Sequence, residues 1–147
     1  MSTPSPDLLI LGSGIVGKAC ALALAQAGLN LALLGAHAVA QPLPPDRYTQ
    51  RLYALNAASR QLLDQLRVWP HIPPERVQPV QAMHIRADGA QLTFRAQDAR
   101  AEALAWIVES DAIEAALDLA LRFERRVQID PAQAERLHHA PASGWQI

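Results

Sequence analysis

Several residue types are scarce in this sequence, and each shortage excludes a class of function. The 147 residues include one cysteine, Cys20, so no intramolecular disulfide can form and a reducing compartment fits. Lys and Arg number 13 against 14 Asp and Glu, a balance that offers no basic surface to a nucleic acid or an anionic membrane. No apolar run reaches the roughly 20 residues of a membrane span. We therefore expect a cytoplasmic protein with no nucleic-acid partner and no transmembrane segment.

The patterns of metal binding and nucleophilic catalysis are missing as well. No Walker lysine, G-x-S-x-G elbow or Cys/His pair occurs. The histidines lack metal-ligand spacing and partner cysteines: His37, His71, His84, His138 and His139. The sequence alone therefore predicts no metal site and no catalytic residue. Cys20 lies in a run of small residues and is expected to fill a buried apolar position.

What the sequence does contain, near its start, is the alternation of a βαβ unit. Residues 1–6 are rich in Ser and Pro and predict a disordered leader. The apolar run Leu8–Leu11 predicts a strand buried on both faces, and the Ala- and Leu-rich stretch Ile15–Ala27 predicts a helix. Gly28 can end that helix, and Leu29–Leu34 predicts a second strand. The expected fold class is α/β, with a Rossmann-like layer that binds FAD or NAD(P).

A glycine motif connects the first predicted strand to the first helix. It matches G-x-G-x-x-G and consists of Gly12, Ser13, Gly14, Ile15, Val16 and Gly17. Gly12 allows a tight turn, Gly14 lets a phosphate approach the backbone, and Gly17 lets helix and strand pack closely. Amides at the helix start then point at a pyrophosphate, which the helix dipole also attracts. This context predicts binding of an adenine dinucleotide, with FAD as the expected cofactor; a glycine-rich connector without a ligand is the alternative.

The acidic residue that usually follows this motif about 20 positions on is absent. Gly35 occupies its place at the end of the second strand, and the lost contact to the adenosine ribose is worth about 1.5–3 kcal/mol. His37 is a weak candidate for a 2′-phosphate contact. Asp46 lies too deep in the Pro-rich loop 41–46 to be assigned to the ribose. The sequence therefore gives no support for a preference for NADP.

The rest of the chain predicts further helices and strands. Asn56 is a plausible N-cap of a helix that ends before Trp69, and Leu104–Val108 predicts a strand. A helix follows over Ser110–Arg122 with Ser110 as its N-cap, and Val127–Ile129 predicts another strand. The expected core-facing stripes are Ser59, Leu62, Leu63 and Leu66 in the first helix, and Ile113, Ala116, Leu117, Ala120 and Leu121 in the second.

Between these elements, Met83–Phe94 predicts a β-hairpin. Asp88 and Gly89 form its turn, where positive φ angles are needed. Apolar and polar residues alternate along both arms, which predicts one buried face made of Met83, Ile85, Leu92 and Phe94.

Four segments, taken together, resemble a known family. They are Leu8–Gly17, Arg51–Ser59 followed by Trp69, Met83–Ile85 and Trp106–Glu109. They look like segments of the ubiquinone-biosynthesis hydroxylases, which are class A FAD-dependent monooxygenases similar to p-hydroxybenzoate hydroxylase. The resemblance runs from Asp7 to about Leu137. The pattern R-x-x-A-L-N-x-x-S in the second segment is more specific than the glycine motif.

This resemblance implies a cofactor, a reaction and one more site residue. The chain would be a partial FAD-binding domain over 7–147, in which 80–108 supply inserted strands of the substrate-side sheet. Arg51 would lie near the flavin nucleotide, where a guanidinium can hold phosphate or ribose oxygens bidentately; an ordinary surface arginine is the alternative. The parent enzymes use FAD, with NAD(P)H as transient reductant and O₂, to hydroxylate an aromatic ubiquinone precursor.

The sequence departs from the family pattern in two respects. Family members usually carry Glu where Gly35 stands, and they are about two to three times longer, with later Asp-Gly and Gly-Asp flavin motifs. We therefore expect a chain that is truncated relative to the family, inactive alone and prone to self-associate through exposed edges. The alternatives are a non-enzymatic Rossmann remnant or interaction module without flavin, and a small NAD-dependent dehydrogenase domain, for which no Tyr–Lys pair is present.

Overall fold

The computed structural model describes residues 5–35, 44 and 47–131, together with the backbone of 138–140 and 144–146. Residues 1–4 of the predicted leader, His37 and Asp46 lie outside the described residues, as does loop 41–46 apart from Pro44. The helices and strands follow in the order β1 (Leu8–Leu11), α1 (Ile15–Gln26), β2 (Leu31–Leu34), β3 (Leu52–Leu55), α2 (Ala57–Gln65), β4 (Val77–Val80), β5 (Ala82–Ala87), β6 (Ala90–Arg95), β7 (Ala105–Glu109), α3 (Ser110–Arg122), β8 (Val127–Asp130), β9 (His138–Ala140) and β10 (Gly144–Gln146).

The chain forms two compact units, which we call the terminal unit (Met1–Val39 with Leu117–Ile147) and the central unit (Ala40–Ala116). The terminal unit contains a parallel sheet in the order β1-β2-β8, in which Leu8 lies opposite Leu31 and Leu31 opposite Val127. Strands β9 and β10 form a separate antiparallel pair. The parallel sheet and its crossover helix confirm the predicted α/β fold class and the βαβ unit.

Burial in the terminal unit differs from the expectation at β1. The sheet's core side chains come from β2, where Leu31 and Leu33 are fully buried, and from α1, where Leu22 is buried. In β1, Leu8 and Leu11 are about half exposed, so the prediction of a strand buried on both faces was wrong. Among the described residues β1 is the edge strand of this sheet, so neighbours cover it on one side only. Cys20, expected in a buried position, is exposed.

The central unit contains an antiparallel sheet in the order β3-β7-β4, of which only β7 was predicted. Pro79 lies in β4, an edge strand, where the lack of an amide donor is tolerated. Helix α2 begins after Asn56, whose side chain accepts a hydrogen bond of 2.8 Å from the Ser59 amide, as predicted. Leu63 and Leu66 of the predicted stripe are buried, whereas Leu62 is half-exposed.

The predicted hairpin forms, but its apolar face is not covered. Strands β5 and β6 pair as expected, with Ile85 opposite Leu92 and a positive φ of 78° at Gly89. The four apolar residues remain exposed, at 47% for Met83, 46% for Ile85, 53% for Leu92 and 45% for Phe94. The expectation of burial was wrong because this hairpin is a two-stranded sheet on which no element of the described residues packs closely enough to exclude water.

Helix α3 follows β7 directly. The predicted stripe is buried at Ile113, Ala116, Leu117 and Leu121. The Ser110 hydroxyl donates to the Asp111 carboxylate at 2.9 Å, so this side chain does not act as the predicted N-cap acceptor. Across the described part of the chain, no helix is both long enough and apolar enough to span a membrane.

Candidate functional site

The glycine turn, residues 12–17, lies between β1 and α1 in the terminal unit. Gly12 has a φ of +106°, a conformation that favours glycine, and its amide donates to the Leu34 carbonyl at 2.8 Å. That bond joins the turn to the end of β2. The turn therefore sits at the carboxyl ends of two parallel strands, where open α/β sheets bind their ligands.

Each of the other two glycines in the turn has its own steric reason. A Cβ atom at Gly17 would collide with the backbone carbonyl of Gly12, so only glycine allows α1 to pack this closely. At Gly14, a Cβ atom would meet nothing within 4 Å, and the φ of −76° suits any L-residue. The fold therefore does not require glycine at position 14. What glycine preserves there is open space in front of the backbone.

The amides at the start of α1 are the chemically active part of the turn. Within the described residues, no oxygen accepts a hydrogen bond from the amides of Gly14, Ile15, Val16 or Gly17, and the first helical bond runs from the Lys18 amide to the Gly14 carbonyl at 3.0 Å. The Val16 side chain is 75% exposed, and the first turn of the helix carries no acidic residue. Unpaired amides at the positive end of a helix dipole suit an anion.

Gly35, the residue after β2, lies against the glycine turn. Its φ is +149°, and a Cβ atom there would lie 3.1 Å from both the amide nitrogen and the hydroxyl oxygen of Ser13. A side chain at this position would therefore strain the backbone and press on the glycine turn. The absent carboxylate noted in the sequence thus coincides with a backbone conformation that disfavours any side chain.

A buried ion pair that sequence reasoning missed lies next to the turn. Lys18 follows Gly17, and its Nζ atom is 2.8 Å from Oδ1 of Asp118, with the two side chains 1% and 4% exposed. Buried charges require such a partner, so this lysine serves packing of α1 against α3 rather than contact with a ligand phosphate. One signal was present in the sequence, namely a single charged residue, Lys18, within the otherwise uncharged helix α1.

Arg51, the remaining predicted site residue, belongs to the central unit. Its side chain is exposed, with the guanidinium carbon 5.4 Å from the centre of the Tyr53 ring. Its amide donates to the Thr49 hydroxyl at 3.3 Å, and its carbonyl accepts from the Ser110 amide at 2.9 Å. The backbone of Arg51 is thus held on both sides while its guanidinium faces water.

The described residues offer no metal site. No group of three or more His, Cys, Asp or Glu residues in this part of the chain is arranged to hold a metal ion.

A cavity of about 360 Å³ in the central unit is lined by residues that include Arg60, Trp69 and Trp106. The Arg60 guanidinium stacks on both tryptophan rings, at 5.1 Å and 5.2 Å, and pairs with Asp64 at 3.3 Å. The stacking and the ion pair of Arg60 are both made within the central unit.

The sequence of the chain is similar to those of known enzymes. No family model matches the chain. The chain is 30% identical over 131 residues to the 3-demethoxyubiquinol 3-hydroxylase of Escherichia coli, an alignment that covers 88% of this chain and 33% of that enzyme. It is 34% identical over 118 residues to the mitochondrial ubiquinone biosynthesis monooxygenase COQ6 of Danio rerio, covering 76% of this chain and 24% of the relative.

Among solved structures, PqsL, a probable FAD-dependent monooxygenase from Pseudomonas aeruginosa, superposes with a TM-score of 0.69 at 16% identity, over 95% of this chain and 36% of PqsL. The chain therefore has the Rossmann-like fold of the FAD-dependent monooxygenases. Its resemblance to the ubiquinone-biosynthesis hydroxylases is confirmed over most of its length. It spans about a third of the length of the first of these relatives and about a quarter of the second.

Proposed function

We propose that this chain is the FAD-binding N-terminal portion of a flavin-dependent aromatic-ring hydroxylase of ubiquinone biosynthesis. In this proposal the domain extends over 7–147, and the strands within 80–108 belong to the sheet on the substrate side. The names of the two curated relatives support the assignment to ubiquinone biosynthesis. The substrate would be an aromatic ubiquinone precursor, with NAD(P)H as the reductant.

The observation that carries this proposal is the set of unpaired amides at the start of α1. The diphosphate of FAD would accept hydrogen bonds from the backbone of the glycine turn, formed by Gly12, Ser13, Gly14, Ile15, Val16 and Gly17. The turn fits a diphosphate because the space in front of Gly14 is open and because the amides of Gly14, Ile15, Val16 and Gly17 have no acceptor among the described residues. In addition, no carboxylate lies in the first turn of α1 to repel an anion.

Arg51 is proposed as a second contact to the flavin nucleotide. The proposal rests on the family resemblance and on the exposure of the guanidinium, which leaves its donors accessible. A planar guanidinium can donate two parallel hydrogen bonds to a phosphate or to ribose hydroxyls. Arg51 would therefore add both charge and orientation to a site otherwise made of backbone.

FAD, when bound, supplies the redox chemistry with O₂, and the protein supplies binding, orientation and exclusion of water. The residues assigned here only bind the nucleotide. None of them is placed to move a proton to or from a substrate ring. We therefore expect the chain to bind FAD without catalysing hydroxylation by itself.

Titration of the purified chain with FAD, followed by flavin fluorescence and absorbance, tests the proposal. Gly14→Val is the informative variant, because an extended backbone accepts valine without strain while the new side chain fills the space in front of the amides. We expect it to abolish FAD binding without lowering the melting temperature. Ala27→Val is the matched control, since it places the same side chain at the other end of α1. Failure of the parent chain to bind FAD would refute the proposal.

The second candidate function, a Rossmann remnant or interaction module without flavin, is favoured by one observation. Gly35 supplies no carboxylate for the adenosine ribose, and its backbone conformation disfavours one. Thermal shift with FAD, NAD and AMP separates the two candidates, because a ligand at 100 times its Kd stabilises the folded state by about 2.7 kcal/mol. A melting temperature that responds to none of the three ligands supports the remnant.

A further inference from the structure

The segment that leads to Arg51 is held by a second buried ion pair, in the central unit. Arg76 follows a 3₁₀ turn before β4, and Glu109 ends β7. The Nη1 atom of Arg76 donates to Oε1 of Glu109 at 2.9 Å, and the two side chains are 8% and 6% exposed. The hydrogen bond to Glu109 raises the pKa of the Arg76 guanidinium above its ordinary value, so the cation persists throughout the working pH range.

The guanidinium of Arg76 makes further bonds to this segment. Nη1 also donates to the Arg47 carbonyl at 2.7 Å, and Nη2 donates to the Pro44 carbonyl at 2.8 Å. The same group lies 4.9 Å from the centre of the Tyr48 ring. One side chain thus fixes several points of a stretch that has no helix or strand among its described residues before β3 begins.

The carboxylate of Glu109 continues the same network toward Arg51. Its Oε2 atom accepts from the Thr49 amide at 3.2 Å, and the Thr49 hydroxyl accepts from the Arg51 amide at 3.3 Å. On the other side of the residue, the Arg51 carbonyl accepts from the amide of Ser110, the neighbour of Glu109. A continuous set of hydrogen bonds therefore runs from the Arg76 guanidinium to the backbone that carries the Arg51 side chain.

We infer that Arg76 and Glu109 are positioning residues that act through this segment to place the Arg51 guanidinium for the flavin nucleotide. The inference rests on the proposed function. It also accounts for an arginine at position 76, because a planar guanidinium can donate to a carboxylate and to two separate carbonyls at once, whereas a lysine ammonium presents a single nitrogen.

A double-mutant cycle on FAD affinity tests the inference in the full chain. The variants are Arg51→Met, Arg76→Gln and the two combined. We expect each single change to raise the Kd for FAD by about fivefold to tenfold. If Arg76 acts through Arg51, the double variant binds FAD no more weakly than Arg51→Met alone. A double variant whose loss is the product of the two single losses would overturn the positioning role.

A matched control and a milder variant keep the test independent of folding. Arg60→Gln removes another stacked and paired arginine of the central unit, and its Kd for FAD should equal that of the parent. Thr49→Val keeps the Arg76–Glu109 pair and removes only the acceptor of the Arg51 amide, so it should raise the Kd in the same direction as Arg76→Gln. A Kd unchanged in both Arg76→Gln and Thr49→Val would overturn the inference.

Hydrogen exchange provides a readout that does not need FAD. The amides of Thr49 and Arg51 should exchange faster in Arg76→Gln than in the parent, while those of β7 keep their protection. Unchanged exchange at both positions would refute the network itself. If exchange changes but the parent chain does not bind FAD, the proposed function fails, and with it the assigned role, while the network stands.

Discussion

A buried ion pair lies in each of the two units, and the two pairs contact different kinds of structure. Lys18 and Asp118 join two helices of the terminal unit at 2.8 Å, and Arg76 and Glu109 meet at 2.9 Å in the central unit. The distances and exposures are similar. The difference lies in the other acceptors, because Arg76 also binds carbonyls of a segment outside the helices and strands. The first pair joins two helices, whereas the second also holds a segment that has no helix or strand among its described residues.

The largest expected effect separates these two roles. Lys18→Met removes the cation that compensates Asp118, and breaking a buried pair in this way costs about 3–5 kcal/mol of the free energy of unfolding. Urea denaturation followed by circular dichroism measures the loss. Arg76→Gln also leaves a buried carboxylate without its cation and should lose stability as well, but only this variant should in addition release a segment outside the helices and strands.

The double variant Lys18→Met/Asp118→Leu is the control for this experiment. Replacing both charges with apolar side chains should recover most of the lost stability, since no carboxylate is then left in the core. A Lys18→Met variant as stable as the parent would erase the contrast between the two pairs.

The glycine turn contains a similar contrast, between one glycine that packing requires and one that it does not. Gly17→Ala would force a methyl group against the Gly12 carbonyl, and overpacking of this kind costs about 1–3 kcal/mol. Denaturation of Gly17→Ala beside Gly14→Ala measures the difference, because Gly14 has room for a methyl group at no conformational cost. Equal stability of the two variants would show that α1 can move away from the turn. The distinction between Gly17, which packing requires, and Gly14, which leaves space for the ligand, would then be lost.

Local patterns were enough to predict the βαβ unit of the terminal unit. The turn between β1 and α1 depends on residues that are near neighbours in sequence, so the spacing of Gly12, Gly14 and Gly17 predicted it. The edge position of β1 was not predictable, because it depends on which strands lie beyond it. Strand β4 was missed since it is short and contains Pro79, and it exists because β7 provides the pairing partner.

Long-range contacts explain why the residues that hold the segment before Arg51 were not predicted. Arg51 was named from a motif, but nothing near it in sequence indicates Arg76 or Glu109. Those two residues are 33 positions apart and meet only because β3, β4 and β7 form one sheet. The hairpin is the reverse case. Its turn is local and was predicted correctly, whereas burial of its apolar face would have required a covering element that the sequence pattern does not specify.

The smallest expected change in stability concerns that exposed face. Ile85→Thr/Phe94→Thr keeps residues that favour strands, so the hairpin should persist. Because both side chains are already about half exposed, the free energy of unfolding should change by no more than about 0.5 kcal/mol. Urea denaturation measures the change, and Gln91→Thr, on the opposite face, is the control. A loss of stability above about 1.5 kcal/mol would show that the face is covered within one molecule.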